Sequence, residues 1–178
     1  EDNNSGLWIS TYSGLTKYTP DQVEQPFKKV LPDLNIPVWS LSKSTFSENS
    51  FWMGTLNGLL KFNFINEEFV SVPLPINSDL QFANSVSSVA EEIYSDEKIL
   101  WIGTFGGLVR LNLITGYSER FTQSKKANFE FLSNQVQDML IDKSGVVWFA
   151  TENGVNIYSP KNSKFNSTVS IGQTPAIS

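Results

Sequence analysis

The sequence contains neither cysteine nor histidine among its 178 residues. Without cysteine it has no disulfides, thiolate nucleophiles or thiolate-bound metal centres, and it is compatible with either redox compartment. Without histidine it has no Ser-His-Asp triad, no HExxH-type zinc site and no phosphoacceptor histidine. Most familiar catalytic constellations are therefore excluded, and we expect no enzyme activity, no metal site and no cofactor in these residues.

Basic charge is also scarce, since 13 Lys and Arg residues stand against 18 Asp and Glu residues for a net charge of −5. The basic residues are scattered, so nucleic acid is not an expected partner. No apolar run approaches the roughly 20 residues that span a bilayer, and the first residues do not resemble a signal peptide. We expect a folded soluble region, attached to a membrane only through other parts of a longer protein.

The sequence does contain a nine-residue pattern that occurs four times. Each copy has a tryptophan flanked by apolar residues, a small residue two positions later, threonine at the third position and glycine at the sixth. The tryptophans are separated by 44, 49 and 47 residues, and Trp39 alone lies outside the register. The repeated tryptophans and glycines, which we assign to the structural core, are Trp8, Trp52, Trp101, Trp148, Gly14, Gly58, Gly107 and Gly154.

Each copy predicts a β-hairpin, because two short apolar runs flank a turn that ends in glycine. A third strand follows each hairpin, and a further strand precedes all but the first. This predicts an all-β fold of about four β-propeller blades with four antiparallel strands each. Residues 1–178 then form a single propeller region, with units at about 1–34, 35–80, 81–130 and 131–170 and a tail at 171–178.

The string from Leu100 to Arg110, Leu-Trp-Ile-Gly-Thr-Phe-Gly-Gly-Leu-Val-Arg, resembles the two-component regulator propeller repeat. The Gly-His and Trp-Asp pairs of WD40 repeats are missing, and a Gly-Gly doublet of the kelch kind occurs once. In the resembled family, such repeats build large, often seven-bladed propellers outside the cytoplasm. They belong to membrane-bound sensors, such as hybrid histidine kinases that control polysaccharide use and some diguanylate cyclases. The resemblance therefore implies a periplasmic or other extracytoplasmic sensory region.

Four copies are fewer than the usual ring of that family. We expect the chain to be a fragment of a larger propeller. Closure through the tail and completion by a second copy of the chain are the alternatives.

The position after the repeated threonine varies among Tyr12, Leu56, Phe105 and Glu152. Packing does not dictate the residue at a site that varies within a repeated scaffold, so these hairpin tips are candidates for recognition. Trp39 could project toward the central channel or pack in the core. The predicted ligand or partner surface comprises Tyr12, Phe105, Glu152, Asn153, Arg110 and Trp39.

Three functions remain open from the sequence. The first is a sensory region that recognises a small-molecule or oligosaccharide ligand without catalysis. The second is a structural or protein-interaction propeller that mediates assembly. The third is a propeller hydrolase or lyase that depends on Asp96, Asp138 or Glu152. The turn carboxylates Asp96, Glu97 and Asp142 are expected to hydrogen-bond their own backbone.

Overall fold

A computed structural model describes residues 6–21, 27–30, 36–75, 82–123, 131–162 and 164–170. Their strands form four antiparallel sheets that follow one another along the chain. Within each sheet, strands that are consecutive in the sequence are neighbours. The predicted four-stranded units, with a three-stranded first unit, are confirmed. The predicted tail, residues 171–178, lies outside the described residues.

The strands have the following bounds. Sheet 1 contains β1 (Leu7–Thr11), β2 (Gly14–Tyr18) and β3 (Phe27–Val30), and sheet 2 contains β4 (Val38–Lys43), β5 (Ser50–Thr55), β6 (Gly58–Asn63) and β7 (Glu68–Val72). Sheet 3 contains β8 (Val86–Tyr94), β9 (Glu97–Thr104), β10 (Gly107–Asn112) and β11 (Ser118–Phe121). Sheet 4 contains β12 (Val136–Ile141), β13 (Val147–Thr151), β14 (Gly154–Ser159) and β15 (Lys164–Ser170), with a 3₁₀ turn at Pro160–Asn162.

The hairpin turns are built alike in all four sheets. The threonine hydroxyl donates a hydrogen bond of 2.6 to 2.9 Å to the carbonyl of the glycine three residues later. That glycine has a φ between 115° and 139°, a region that favours glycine. The same side-chain hydrogen bond therefore closes all four hairpins, at Thr11, Thr55, Thr104 and Thr151.

Neighbouring sheets pack through their tryptophans. The tryptophan of one sheet faces the next sheet. In that next sheet, the two residues that flank the tryptophan face back toward the first sheet. Trp8, Trp52 and Trp101 are therefore almost fully buried, at 6%, 3% and 0% exposure. Three buried clusters result, which group Trp8 with Phe51 and Met53, Trp52 with Leu100 and Ile102, and Trp101 with Val147 and Phe149.

The small residue two positions after the tryptophan lets the inner strand of the next sheet approach. A Cβ atom on Gly54 would lie 2.7 Å from the carbonyl oxygen of Val86, and one on Gly103 would lie 2.7 Å from a methyl group of Val136. Both distances are shorter than van der Waals contact. The inner strands β4, β8 and β12 consequently lie side by side along one edge of the array.

Three of the four repeated indoles have a carboxylate acceptor for the N–H group. Trp52 donates to Glu91 at 2.5 Å, Trp101 to Glu92 at 2.7 Å and Trp148 to Asp142 at 2.9 Å. Because a buried donor without a partner is costly, these bonds allow tryptophan to fill the space between sheets. Nothing in the sequence pattern identifies Glu91 and Glu92 as acceptors.

The environments of these carboxylates shift their pKa values in different directions. Burial raises the pKa of Glu92, and the bond from Trp101 offsets this only in part. Burial also acts to raise the pKa of Glu91, but hydrogen bonds from Ser44, Thr45 and Trp52 outweigh it and lower the pKa. Hydrogen bonds from Ser144, foremost, and from Trp148 and Val146 lower the pKa of Asp142 to about 2.

Asp142 also confirms the expected bonding of a turn carboxylate to its local backbone, since its Oδ1 accepts from the N–H groups of Ser144 and Val146. Glu97 differs from that expectation, because it is part of β9 and pairs across the hairpin with Arg110 at 3.1 Å. Strand β8 is also longer than predicted, so the turn before β9 narrows to Ser95 and Asp96.

No helix within the described ranges has the length and apolarity needed to cross a bilayer.

We predict that Trp101→Ala lowers the free energy of unfolding by about 3–5 kcal/mol, because it empties a fully buried site between sheets 3 and 4. Tyr12→Ala should cost under about 1 kcal/mol, because that side chain is 87% exposed. Urea denaturation of both variants measures the difference. Equal, small losses would contradict the packing described above.

We further predict that Asp142→Asn changes the acid sensitivity of the protein. A folded-state pKa of about 2, below the ordinary 3.8, means that Asp142 stabilises the fold above pH 3.8 and loses this effect as the pH falls toward 2. The stability difference between wild type and variant should therefore shrink over that interval, as followed by urea midpoints. A difference that stays constant with pH would refute the assignment.

Candidate functional site

Three of the predicted surface residues meet at the hairpin-tip end of the array. Tyr12, Trp39 and Phe105 line a pocket of about 370 Å³, with Ser10, Thr11 and Val38 completing its walls. The rings of Trp39 and Phe105 lie 4.9 Å apart at an interplanar angle of 37°. We call Tyr12, Trp39 and Phe105 the aromatic patch; it draws one residue from each of sheets 1, 2 and 3.

Phe105 is presented by a backbone arrangement that recurs in other sheets. Its N–H group donates to the carbonyl of Ser85 at 3.1 Å, just before the inner strand of the same sheet. The equivalent bonds run from Leu56 to Pro37 and from Glu152 to Gln135, both at 3.3 Å. Because these bonds use the backbone N–H groups of Phe105, Leu56 and Glu152 and not their side chains, the side chain at this position is free to vary.

Arg120 anchors the Phe105 turn from the outer strand β11. Its guanidinium donates to the Thr104 hydroxyl at 2.9 Å, the Gly106 carbonyl at 3.1 Å and the Asn84 side chain at 2.6 Å. Burial lowers the pKa of Arg120 from its ordinary value, although an arginine side chain stays protonated in proteins. These bonds fix the turn residues on both sides of Phe105.

Trp39 reaches the surface because β4 carries a β-bulge. Val38 pairs with Thr55 and Ser40 pairs with Gly54, which leaves Trp39 without a ladder partner. Trp39 is 36% exposed, so the alternative that it packs in the core is wrong. The same bulge recurs between Val86 and Ser88 and between Val136 and Asp138. Ser87 and Gln137 therefore occupy the equivalent positions in sheets 3 and 4.

A polar groove continues from Trp39 along the inner strands. It has a volume of about 400 Å³, and its lining includes Ser40, Ser42, Ser87, Ser88, Gln137 and Asp138. The hydroxyls of Ser40 and Ser88 are buried and have no hydrogen-bond partner among the described residues. We call this the inner groove. The groove combines hydroxyl, amide and carboxylate groups next to the aromatic patch.

Serine hydroxyls also tie the walls of the inner groove together. Ser42 donates to the Val89 carbonyl at 3.2 Å, which links sheets 2 and 3. Ser87 donates to the Val136 carbonyl at 2.6 Å, which links sheets 3 and 4. These hydrogen bonds therefore connect the three inner strands that form the groove.

The other predicted surface residues lie outside the aromatic patch. Glu152 and Asn153 occupy the equivalent turn of sheet 4, where the Asn153 amide donates to the Leu132 carbonyl at 3.1 Å. Arg110 points toward the opposite end of its hairpin, with its guanidinium near the Trp101 ring and its ion pair to Glu97. The inner groove was not predicted from the sequence. The only signal for it is the recurring Val-x-polar order at the start of the inner strands.

Flat aromatic rings beside hydroxyl, amide and carboxylate groups can bind a ligand that has both apolar faces and hydrogen-bonding edges. Within the described ranges, no group of three or more acidic side chains is placed to hold a metal ion. The aromatic patch and the inner groove thus offer stacking and hydrogen-bonding groups to a ligand.

Four antiparallel sheets in chain order, three of which place their inner strands along a common edge, are blades of a β-propeller. The family model for the two component regulator propeller matches residues 130–153, which cover the inner strand and central hairpin turn of sheet 4. Residues 130–153 therefore match the two component regulator propeller repeat, which confirms the resemblance found in the sequence. None of the curated proteins matches the chain significantly.

Solved structures share this fold. The extracellular domain of the hybrid two component system BT3049 from B. thetaiotaomicron has a TM-score of 0.72 at 21% identity, covering 98% of this chain and 23% of that one. The extracellular domain of BT4673 from the same organism has a TM-score of 0.69 at 23% identity, with coverages of 95% and 21%. PorZ, a surface component of the type-IX secretion system of Porphyromonas gingivalis, has a TM-score of 0.62 at 19% identity, with coverages of 99% and 27%.

The chain spans less than a quarter of the length of the first two of these structures. At these identities the likeness establishes the fold, and the function is argued from the residues.

Proposed function

We propose that this chain is the ligand-recognition region of an extracytoplasmic sensor of the two-component type, and that it binds a carbohydrate without turning it over. The observation that carries the proposal is the aromatic patch at the mouth of the inner groove. A sugar ring presents an apolar face to an aromatic ring and hydroxyls to polar neighbours, and the two surfaces offer both kinds of partner. The extracellular domains that share the fold support the location and the sensory role.

The placement of the patch suggests how binding could be transmitted. Tyr12, Trp39 and Phe105 come from three successive sheets, so one ligand can contact all three. Such a ligand stabilises one relative arrangement of these sheets over others, in proportion to its difference in affinity for them. The chain has no histidine, so a phosphoacceptor histidine of the sensor lies outside these residues.

The proposal predicts that Trp39→Ala and Phe105→Ala each weaken glycan binding about tenfold, the loss expected for a stacking contact of about 1.4 kcal/mol. Calorimetric titration against a panel of neutral oligosaccharides provides the measurement. Phe69→Ala is the matched control, because Phe69 is an exposed aromatic residue, at 43%, on the outer strand of sheet 2. The control should bind as wild type does.

Two results would overturn the carbohydrate proposal. One is the absence of saturable binding at millimolar concentrations of every glycan in the panel. The other is an equal loss of affinity in Phe69→Ala and Trp39→Ala. Denaturation curves of the three variants show whether any loss reflects unfolding instead.

Assembly is a second candidate function, favoured by exposed apolar side chains in three of the sheets. Leu7 on β1 is 44% exposed, Val70 on β7 is 67% exposed and Leu140 on β12 is 57% exposed. Strong self-association in light scattering, abolished by charged substitutions at these positions, would support it. A hydrolase or lyase is less favoured, because Asp138 lines the inner groove while Asp96 and Glu152 lie in turns away from it.

A further inference from the structure

A second cleft lies between sheets 2 and 3, away from the aromatic patch and the inner groove. It has a volume of about 370 Å³ and is lined by Phe46, Trp52, Lys61, Val70, Lys98 and Leu113, among others. It shares no residue with the two surfaces described above. We call it the lysine cleft.

Both lysines of the cleft are held over aromatic rings. The Lys61 ammonium lies 5.6 Å from the centroid of the Trp52 ring, and the Lys98 ammonium lies 5.6 Å from that of Phe46. Within the described parts of the chain, neither lysine forms an ion pair. Two cations therefore border a cleft whose other walls are largely apolar, in a protein of net charge −5.

The neighbouring sheet shows what this cleft lacks. A basic residue over the repeated tryptophan recurs, as Lys17 at 5.0 Å from Trp8 and Arg110 at 6.0 Å from Trp101. In sheet 3, Glu97 compensates Arg110 at 3.1 Å. The equivalent residue of sheet 2, four positions before the tryptophan, is Glu48, which lines a different pocket and forms no described ion pair with Lys61.

Glu91, which accepts a bond from the Trp52 indole of the cleft, is already engaged. Glu91 accepts hydrogen bonds from the Trp52 indole, the Ser44 hydroxyl and both the backbone N–H and the hydroxyl of Thr45. Its oxygens are therefore directed at sheet 2 donors rather than at either lysine. Among the described residues, therefore, none pairs with Lys61 as Glu97 pairs with Arg110.

We propose that the lysine cleft binds a small organic carboxylate with an apolar body. The carboxylate takes the place of the acidic partner that Lys61 and Lys98 lack, and the apolar body packs on Val70, Val72 and Leu113. An ammonium group pairs with a carboxylate more strongly when apolar walls limit the access of water. This site is independent of the carbohydrate proposal, and either can fail while the other stands.

Calorimetric titration of the protein with 3-phenylpropionate and with its neutral amide tests the charge requirement. We expect saturable binding of the carboxylate, at least about fivefold tighter than that of the amide, and weaker binding at high salt. Equal affinities for the two compounds, or no binding of the carboxylate at millimolar concentration, would overturn the proposal.

Variants then test the residues. Lys61→Gln and Lys98→Gln should each weaken carboxylate binding about fivefold, whereas Lys61→Arg should retain it. Lys43→Gln is the matched control, because Lys43 is an exposed lysine of sheet 2 that lines a different pocket. The proposal fails if Lys43→Gln loses as much affinity as Lys61→Gln. If Lys61→Gln does not fold, Lys98→Gln alone decides, since Lys98 is exposed and does not cover the repeated tryptophan.

Discussion

The rest of the structure depends on the packing of each repeated tryptophan against the residues that flank the tryptophan of the next sheet. Side chains alternate between the two faces of a strand, so this arrangement buries both faces of a central hairpin at once. This packing buries Trp101 fully, and it buries Trp8 in a cluster with Phe51 and Met53. The glycines at positions 54 and 103 bring the next inner strand within contact, which fixes the spacing of the sheets.

A tryptophan in this position carries an N–H group into the interior, and the acceptors for it come from different parts of the fold. Glu91 reaches Trp52 from the adjacent sheet, whereas Glu92 and Asp142 reach Trp101 and Trp148 from within the same sheet. The repeat therefore conserves the indole and its need for an acceptor, while the acceptor itself changes. The different surroundings of the three carboxylates explain why their pKa values shift in different directions.

The sequence predicted the hairpins and the blade count, because both depend on local patterns such as the Thr and Gly offsets. It also pointed to Tyr12 and Phe105, through variation at one position of an otherwise regular repeat. The sequence left open whether Trp39 is exposed or packed in the core, since a bulge is a property of how two strands align. The pairing of Trp52 with Glu91 was also beyond reach, because it joins residues 39 positions apart in neighbouring sheets.

The bulge on each inner strand has a consequence for how such a protein can diversify. Trp39, Ser87 and Gln137 are each an extra residue outside the pairing of their sheet. A substitution there leaves the ladder register unchanged and alters the surface that faces the inner edge, although at position 87 it also removes the hydrogen bond to the Val136 carbonyl. Successive repeats can thus exchange aromatic, hydroxyl and amide groups independently, as these three positions already do. The fold thereby provides a row of positions at which selectivity can evolve without a change in strand register.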